Sequence, residues 1–282
     1  MLKLMYITNN PDVARIAQRA GVERIMVDME YIGKDERQRR FGTPQNRHTF
    51  EDVKNIRKVV DKSQLVVRCN PIHSGVADYP DSRIETERII NLGADVIMLP
   101  YFMSPEEVRE HISYVNGRAK IYLLVETSKA VEHLDEILEI PGIDEIHIGL
   151  NDLGICYNKK YLFEVLTDGT VDRICDKIRE KGILYGIGGI GLPGKSFSLR
   201  EHMIPAEMLI GEQYRLNSSG VILSRAFCNT AKTQDLDEIR NIFEHGVANI
   251  RKVEKECLEG CVDYAANREL LQRMVADIVS SI

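Results

Sequence analysis

The sequence predicts an α/β fold, a closed (β/α)8 TIM barrel with a C-terminal helical extension. Short apolar runs, typical of parallel strands buried on both faces, alternate with amphipathic segments along most of the chain. Eight such units occur within 282 residues, a length typical of one barrel domain. An open doubly wound sheet is the structural alternative, because a miscounted strand would change the topology.

The predicted strands are bounded by ordinary helix start and stop signals. Pro11 opens the first helix and Gly21 ends it, and Ser104 caps a later helix ahead of Pro105. The predicted strands are residues 3–9, 24–30, 64–71, 94–101, 119–126, 143–150, 183–189 and 220–227. The predicted helices are residues 11–21, 48–60, 82–93, 104–115, 128–140, 171–182, 206–216, 235–257 and 264–279.

We expect residues 1–234 to form the catalytic barrel and residues 235–282 to add a closing helix and a further helix. The apolar stripe of this C-terminal part either packs on the bottom of the barrel or contacts another subunit. Residues 186–191, GIGGIG, match the G-x-G-x-x-G pattern. No clear helix follows them, so close approach of a substrate or a phosphate is the better interpretation than a dinucleotide.

Composition excludes several classes of function. The net charge is −6, both signs are mixed along the chain, and no basic cluster suggests nucleic-acid binding. No apolar run approaches the ~20 residues of a membrane helix, and the N-terminus lacks a signal-peptide pattern. None of the six cysteines forms a C-x-x-C pair, as expected for reduced thiols. These features predict a soluble, cytoplasmic protein without a membrane or nucleic-acid partner.

Two neighbouring predicted strands are each followed by an acid. Glu126 ends strand five, and Asp152 lies just beyond strand six. Adjacent parallel strands are ~4.8 Å apart, so carboxylates at the catalytic rim of a barrel can share one divalent cation. Both acids could instead serve as helix N-terminal residues, favoured there by capping and the helix dipole. The spacing alone leaves these two readings open.

The same rim carries further polar residues. Asp28 and Glu30 end strand two, and Arg68 ends strand three. A charge inside the run QLVVRC is costly to bury unless paired, so Arg68 should meet Glu30 or an anionic ligand. Asn9 ends strand one and Arg225 lies in strand eight. A metal and a carboxylate-bearing substrate fit this group of residues.

Long segments of the chain resemble the HpcH/HpaI aldolase and citrate lyase β superfamily. The stretch VETSKAVEHLDEILEIPGIDEIHIGLNDLG is similar to its signature, and AGVERIMVDMEYIGKDERQ, LVVRCNP and GADVIMLPYF are similar to its second to fourth strands. The resemblance runs from about residue 5 to residue 230. It implies a phosphoenolpyruvate/pyruvate-type barrel that makes or breaks carbon–carbon bonds beside a keto acid or acyl-CoA. It also implies a homo-oligomer.

By motif, the resemblance makes Glu126 and Asp152 ligands of Mg²⁺ or Mn²⁺. It makes Arg68 the arginine that stabilises the pyruvate enolate. Oxygen ligands suit these cations, and a fixed positive charge suits a developing enolate oxygen.

The chain departs from the family after strand two. Sugar-acid aldolases of this family have D-G-E-H there, whereas this chain has Asp28-Met29-Glu30-Tyr31. Tyr31 is a poor general base, since its reference pKa is about 10. His73 could bring an imidazole to the rim or be an exposed loop histidine, and His147 should be a satisfied core histidine. We therefore predict Arg68, Glu30, Tyr31 and His73 as candidate catalytic residues.

Three functions follow as hypotheses. The first is a metal-dependent class II aldolase that cleaves or forms 4-hydroxy-2-keto acids through pyruvate enolate. The second is a citramalyl-CoA or malyl-CoA lyase of the citrate lyase β group. The third is a non-catalytic protein that binds a metal and a keto acid. The charged loop after strand two is a candidate lid or subunit contact, and its Arg39, Arg40 and Arg47 could meet an acidic substrate.

Overall fold

The computed structural model describes residues 1–34 and 46–282 and contains one closed parallel barrel. Each strand pairs with the next in chain order, and β1 pairs with β8 to close the ring. The predicted (β/α)8 barrel is confirmed, and the open sheet is wrong. The strands are β1 (Lys3–Ile7), β2 (Arg24–Asp28), β3 (Gln64–Arg68), β4 (Val96–Leu99), β5 (Lys120–Val125), β6 (Glu145–Ile148), β7 (Leu184–Ile190) and β8 (Gly220–Leu223).

Helices follow the strands and surround the barrel. Within the described ranges they are α1 (Pro11–Arg19), α2 (Phe50–Arg57), α3 (Ser82–Asn91), α4 (Pro105–Val115), α5 (Ser128–Glu132), α6 (Leu134–Leu138), α7 (Leu150–Cys156), α8 (Glu164–Thr167), α9 (Thr170–Glu180), α10 (Ala206–Arg215), α11 (Leu236–Leu258) and α12 (Tyr264–Ser281). No helix in residues 1–34 or 46–282 combines the length and the apolarity needed to cross a bilayer.

Local sequence signals explain where the helices begin. The Asn10 side chain accepts hydrogen bonds from the first-turn amides of α1, and Pro11 occupies a first-turn position where no amide donor is needed. Ser104 and Glu107 form a reciprocal capping box at the start of α4. These caps fix the start of both helices at the catalytic side of the barrel, next to the loops that carry the site.

The interior of the barrel is closed at the N-terminal ends of the strands. Arg24, the first residue of β2, donates hydrogen bonds of 2.8 and 2.5 Å to Glu145, the first residue of β6. Methionine, valine, tyrosine and leucine side chains fill the barrel above this ion pair. The open end is therefore the C-terminal one, where such barrels hold their chemistry.

Three regions differ from the sequence prediction. The helix expected over 128–140 is interrupted at His133, whose backbone leaves the helical region and divides it into α5 and α6. Two short helices, α7 and α8, lie between β6 and α9 and were not predicted. β8 ends at Leu223, so Arg225 follows the strand.

The C-terminal helices pack on the barrel's own helices. α11 contacts α1 and α10, the position of an eighth helix in the ring, and α12 contacts α8 and α10. We expected the C-terminal helices to pack on the bottom of the barrel or to contact another subunit, and in the structure they pack on its sides. The division of the chain into residues 1–234 and 235–282 stays a prediction.

Candidate active site

A cavity of about 760 Å³ opens at the C-terminal ends of the strands. Its volume lies within the range typical of sites for small organic ligands. Its lining includes Arg68 after β3, Glu126 after β5 and Asp152 after β6. The fold thus brings together three of the residues that the sequence selected.

Glu126 follows β5 and is 3% exposed. Its Oε1 accepts a hydrogen bond of 3.1 Å from the backbone amide of Tyr101, a non-glycine residue with a φ of 48°. Such left-handed backbone is uncommon outside glycine and is frequent at functional sites. The cap of α5 is supplied by Thr127, so Glu126 is not the capping residue of that helix. The fold holds its carboxylate in the cavity wall.

Asp152 lies in the first turn of α7 and is 7% exposed. A helix N-terminus favours a carboxylate electrostatically, so this structural role applies to Asp152 whatever else it binds. Gly149 lies between the two acids in the chain and on the neighbouring strand end from Glu126. A Cβ atom on Gly149 would lie 2.9 Å from Oε2 of Glu126. The absence of a side chain at residue 149 gives the Glu126 carboxylate its space.

Arg68 is fixed by a cluster of charges after β2. Its Nε and Nη2 donate bonds of 2.7 Å each to the two carboxylate oxygens of Asp28, and its Nε lies 3.5 Å from Glu30. Lys34 Nζ lies 2.9 Å from Glu30 and 3.5 Å from Asp28. The predicted Arg68–Glu30 pair is therefore present, but Asp28 is the closer partner because it lies opposite Arg68 in the register of β2 and β3.

The charges of this cluster stabilise one another. Burial alone would raise the pKa of Asp28, but Arg68 and Lys34 outweigh burial and hold it well below the usual range. Burial would lower the pKa of Arg68, and the carboxylates of Asp28 and Glu30 raise it instead. The opposite charges of Asp28 and Arg68 thus stabilise each other beside the cavity, with the guanidinium held in one orientation.

Neither Tyr31 nor His48 is placed to act as a general base in the cavity after β2. The Tyr31 ring packs edge-on against Tyr79 and lies outside the cavity lining, and burial raises its pKa. His48 lies beside Asp28, but its Nδ1 accepts the Asp28 amide proton at 3.0 Å, and burial lowers its pKa. The lone pair on His48 Nδ1 is therefore occupied, and Nε2 carries the ring proton.

His73 and His147 have different environments. His73 is half-buried in the β3–α3 loop, outside the cavity lining, where its ring nitrogens face the carbonyls of Pro71 and Pro80. His147 lines the cavity floor, where its Nε2 donates to the Gly188 carbonyl and its Nδ1 accepts from Tyr122. Burial lowers the pKa of His147 to about 4, so it is neutral and satisfied, as predicted for a core histidine.

Other predicted residues have varied positions. Asn9 is exposed and bonds Asp52 at 3.2 Å, whereas Arg225 lines the cavity mouth. Arg47 is exposed, and Arg39 and Arg40 lie outside the described residues. GIGGIG belongs largely to β7 itself, with no helix before α10, so it lacks the strand–turn–helix context of a dinucleotide site.

The sequence analysis missed Lys34, Asn46 and Gly149. Lys34 lines the cavity, and its spacing of four residues from Glu30 was an available signal. Asn46 Nδ2 donates to Asp28 at 3.1 Å, a contact between residues 18 positions apart that no local pattern announces. Gly149 is part of the sequence IGLND, and its role is visible only in the structure, where it lies next to Glu126.

The donor set suits a hard divalent cation. Glu126 and Asp152 supply buried carboxylate oxygens to a cavity that leaves room for water and ligand, as Mg²⁺ and Mn²⁺ prefer. No cluster of three or more histidine, cysteine or acidic side chains suited to a metal occurs across residues 1–34 and 46–282.

The structure is similar to several solved barrels. An HpcH/HpaI aldolase from Desulfitobacterium hafniense DCB-2 matches 85% of this chain and 93% of its own, with a TM-score of 0.59 and 16% identity. An HpcH/HpaI aldolase/citrate lyase family protein from Burkholderia cenocepacia J2315 matches 85% and 94%, with a TM-score of 0.60 and 16% identity. The citrate lyase β subunit from M. tuberculosis, complexed with oxaloacetate and magnesium, matches 86% and 96%, with a TM-score of 0.53 and 15% identity.

These similarities, all below 25% identity, establish the barrel fold. No curated protein sequence matches the chain. The fold and the charged cavity define a (β/α)8 barrel with a candidate ligand site at the C-terminal ends of its strands. The family model for HpcH/HpaI aldolase/citrate lyase matches residues 3–164, more than half of the chain, and the chain belongs to this family.

Proposed function

We propose that the protein is a metal-dependent carbon–carbon lyase, a class II aldolase that cleaves or forms 4-hydroxy-2-keto acids through pyruvate enolate. One observation carries the proposal: the buried carboxylates of Glu126 and Asp152 line the same cavity as the fixed guanidinium of Arg68. Two anions for a cation and one cation for an enolate are the groups that this reaction requires.

Arg68 is the electrostatic partner of the keto acid. Because Asp28 holds its Nε–Nη2 edge, the guanidinium is oriented before substrate arrives and needs no rearrangement as charge develops. Within residues 1–34 and 46–282, its Nη1 makes no hydrogen bond to protein. This atom is the donor that we assign to the substrate oxygen.

Glu126 and Asp152 would hold Mg²⁺ or Mn²⁺. A bound cation supplies Lewis-acid polarisation of the keto group. The Tyr101 amide bonds one oxygen of Glu126 and so orients its carboxylate.

Lys34 is the proton carrier that we assign to the corner after β2. It lines the cavity and is held between Glu30 and Asp28, whereas Tyr31 lies outside the lining and the His48 lone pair is occupied. In the synthetic direction its ammonium donates a proton to the aldehyde oxygen as the new bond forms. In cleavage Lys34 Nζ takes the proton of the 4-hydroxyl group as it passes one of its own protons to Glu30, whose Oε2 lies 2.9 Å away.

A retro-aldol assay tests the proposal. A panel of 4-hydroxy-2-keto acids is incubated with the protein and Mn²⁺, and pyruvate release is followed. We expect release by the wild type and a loss of at least about 100-fold in Glu126→Gln, because electrostatic stabilisation of this kind is worth 10²–10³. No release from any member of the panel would contradict the proposal.

A second candidate is a lyase that acts on an acyl thioester such as citramalyl-CoA or malyl-CoA. The similarity to a citrate lyase β subunit and the size of the cavity favour it. Release of acetyl-CoA from these thioesters, without pyruvate release from the keto-acid panel, would select this function. Metal-dependent binding of pyruvate or oxalate without either activity would select a non-catalytic binding protein.

We also propose a cytoplasmic homo-oligomer. α12 presents the partly exposed Leu270, and the chain ends at the partly exposed Ile282. Light scattering at micromolar protein should show more than one chain per particle, and a monomer would contradict this proposal.

A further inference from the structure

One side of the cavity is apolar. Its lining comes from the β6–α9 connection, the β7–α10 connection and the start of α10: Leu162, Phe163, Leu192, Met203, Ile204 and Leu209. We call these six residues the apolar wall. The nearby Tyr161 packs edge-on against Phe163, and its hydroxyl donates to the His202 carbonyl at 2.7 Å. The Tyr161 hydroxyl next to the wall therefore already has a hydrogen-bond partner in the protein.

Glycines at the end of β7 allow close packing beside the cavity. Gly188, Gly189 and Gly191 line the cavity there and add no side chain to it. A Cβ atom on Gly188 would lie 2.5 Å from Leu150 Cδ1, and Gly188 also has a φ of 48°. The GIGGIG segment thus lets neighbouring side chains such as Leu150 pack directly against the strand end.

One connection carries both part of the apolar wall and a candidate metal ligand. Asp152 and Leu162 belong to the same connection between β6 and α9, so the candidate metal ligand and the wall are carried together. Arg68 and Lys34 line the cavity after β3 and β2, where both are paired with Asp28. The lining also includes the polar side chains of Asn151, Ser224 and Asn229, and each of them already has a hydrogen-bond partner in the protein. The apolar wall is the part of the lining that offers no polar side chain to a ligand.

The mouth of the cavity has no single sign of charge. Lys195, Glu201, His202 and Arg225 line it and are exposed. A mixture of acid and base at a solvated edge gives little preference for an anionic group. The apolar wall is thus the main feature that could select an acceptor.

We propose that the apolar wall is the acceptor subsite, and that the aldehyde acceptor has an aliphatic or aryl body in place of a hydroxylated one. This proposal rests on the proposed aldolase function and names its acceptor class. C3 of the pyruvate enolate bonds to the aldehyde carbon, and the aldehyde oxygen takes up one proton to give the 4-hydroxy-2-keto acid. Hydroxyl groups held against the wall would lose water without gaining a partner.

The first test compares pentanal with glyceraldehyde, which have equal numbers of non-hydrogen atoms. Both are assayed with saturating pyruvate and Mn²⁺, and kcat/KM for the aldehyde is measured. Each buried methylene is worth about fourfold, so we expect pentanal to be preferred by about tenfold or more. An equal or greater kcat/KM for glyceraldehyde would overturn the acceptor proposal.

The second test removes part of the wall. Leu192→Asn should lower kcat/KM for pentanal about tenfold and leave glyceraldehyde nearly unchanged, and Leu162→Asn should do the same if Leu192→Asn does not fold. Leu199→Asn is the matched control, because Leu199 lies in the same β7–α10 connection but is 43% exposed and outside the cavity lining. An equal effect of the control and wall variants would contradict the proposal.

Release of pyruvate from oxaloacetate separates the two proposals, since this decarboxylation needs the enolate site and no aldehyde. If wild-type protein with Mn²⁺ accelerates it but prefers glyceraldehyde, only the acceptor proposal fails. If it neither accelerates decarboxylation nor joins any aldehyde to pyruvate, both proposals fail.

Discussion

The guanidinium of Arg68 and the carboxylate of Asp28 form a two-bond ion pair, with both donor–acceptor distances at 2.7 Å. The two residues lie opposite each other in the register of β2 and β3, so the barrel itself sets their separation. A paired arginine of this kind is oriented before any substrate binds. The pair links the stability of the barrel to the chemistry of the cavity.

Asp28→Asn should therefore destabilise the protein. Removing one partner of a buried ion pair costs about 3–5 kcal/mol, because the other charge stays buried and uncompensated. We expect a clear fall in the urea midpoint at pH 7. Asp12→Asn is the control, since Asp12 forms an exposed pair with Arg15 worth ~1 kcal/mol or less.

The pH dependence of that effect has a defined sign. The pKa of Asp28 is held below its unfolded value of about 3.9, so its contribution is present above that pH and is lost as the pH falls further. The stability difference between the wild type and Asp28→Asn should hold from pH 7 to pH 5 and shrink below pH 4. A difference that grows on acidification would contradict the assignment.

Gly149→Ala should disturb the site. Residue 149 has a φ of −86°, which alanine adopts readily, but the added Cβ would lie 2.9 Å from both Cβ and Oε2 of Glu126. We expect Mn²⁺ affinity to fall about tenfold because Glu126 must move, together with a fall in the melting temperature. Gly154→Ala in the same helix α7 is the control, because its nearest neighbours are 3.7 Å away. Equal Mn²⁺ affinities for the two variants would contradict this role of Gly149.

Lys34→Arg separates charge from proton transfer. Arginine keeps the pairing with Glu30 and Asp28 but cannot release a proton at neutral pH. We expect kcat for retro-aldol cleavage to fall by about 100-fold or more, while the melting temperature stays near that of the wild type. Lys34→Met should lose both activity and stability. Full activity in Lys34→Arg would show that Lys34 acts only as a structural charge.

His111 should make the fold sensitive to acid far from the cavity. It is buried in α4, and burial lowers its pKa to about 4. Between pH 7 and pH 5 the unfolded chain binds a proton that the folded chain does not, so stability falls by about 2 kcal/mol. His111→Leu should flatten this loss in urea titrations, and the exposed His245→Leu should not. An unchanged slope in His111→Leu would contradict the assignment.

Periodicity and strand-end positions were sufficient to predict the barrel and the presence of Glu126, Asp152 and Arg68 at one cavity, while their roles stay a prediction. Eight apolar runs specified the parallel strands because strands covered on both faces need apolar residues throughout. Glu126, Asp152 and Arg68 were found because strand ends meet at one rim of a barrel. A residue that follows a strand can be recognised from the sequence, because it is adjacent to the strand in the chain.

The remaining features depend on contacts across the fold. The pairing of Arg68 with Asp28 follows from the register of two strands, and the space at Gly149 matters only beside Glu126. The helix expected over 128–140 had a continuous helical pattern, yet the structure divides it at His133, where φ is −94° and ψ is 10°. The apolar wall joins two connections that are distant in sequence, so no motif contains it.

Electron paramagnetic resonance of Mn²⁺ tests the central claim most directly, because free and bound Mn²⁺ give different signals. Titration of the wild type, Glu126→Gln, Asp152→Asn and the control Asp12→Asn gives the number of ions bound by each. We predict one Mn²⁺ per chain for the wild type and the control, and a loss of at least about tenfold in affinity for the two site variants. Equal binding by all four proteins, or none by the wild type, would contradict the account.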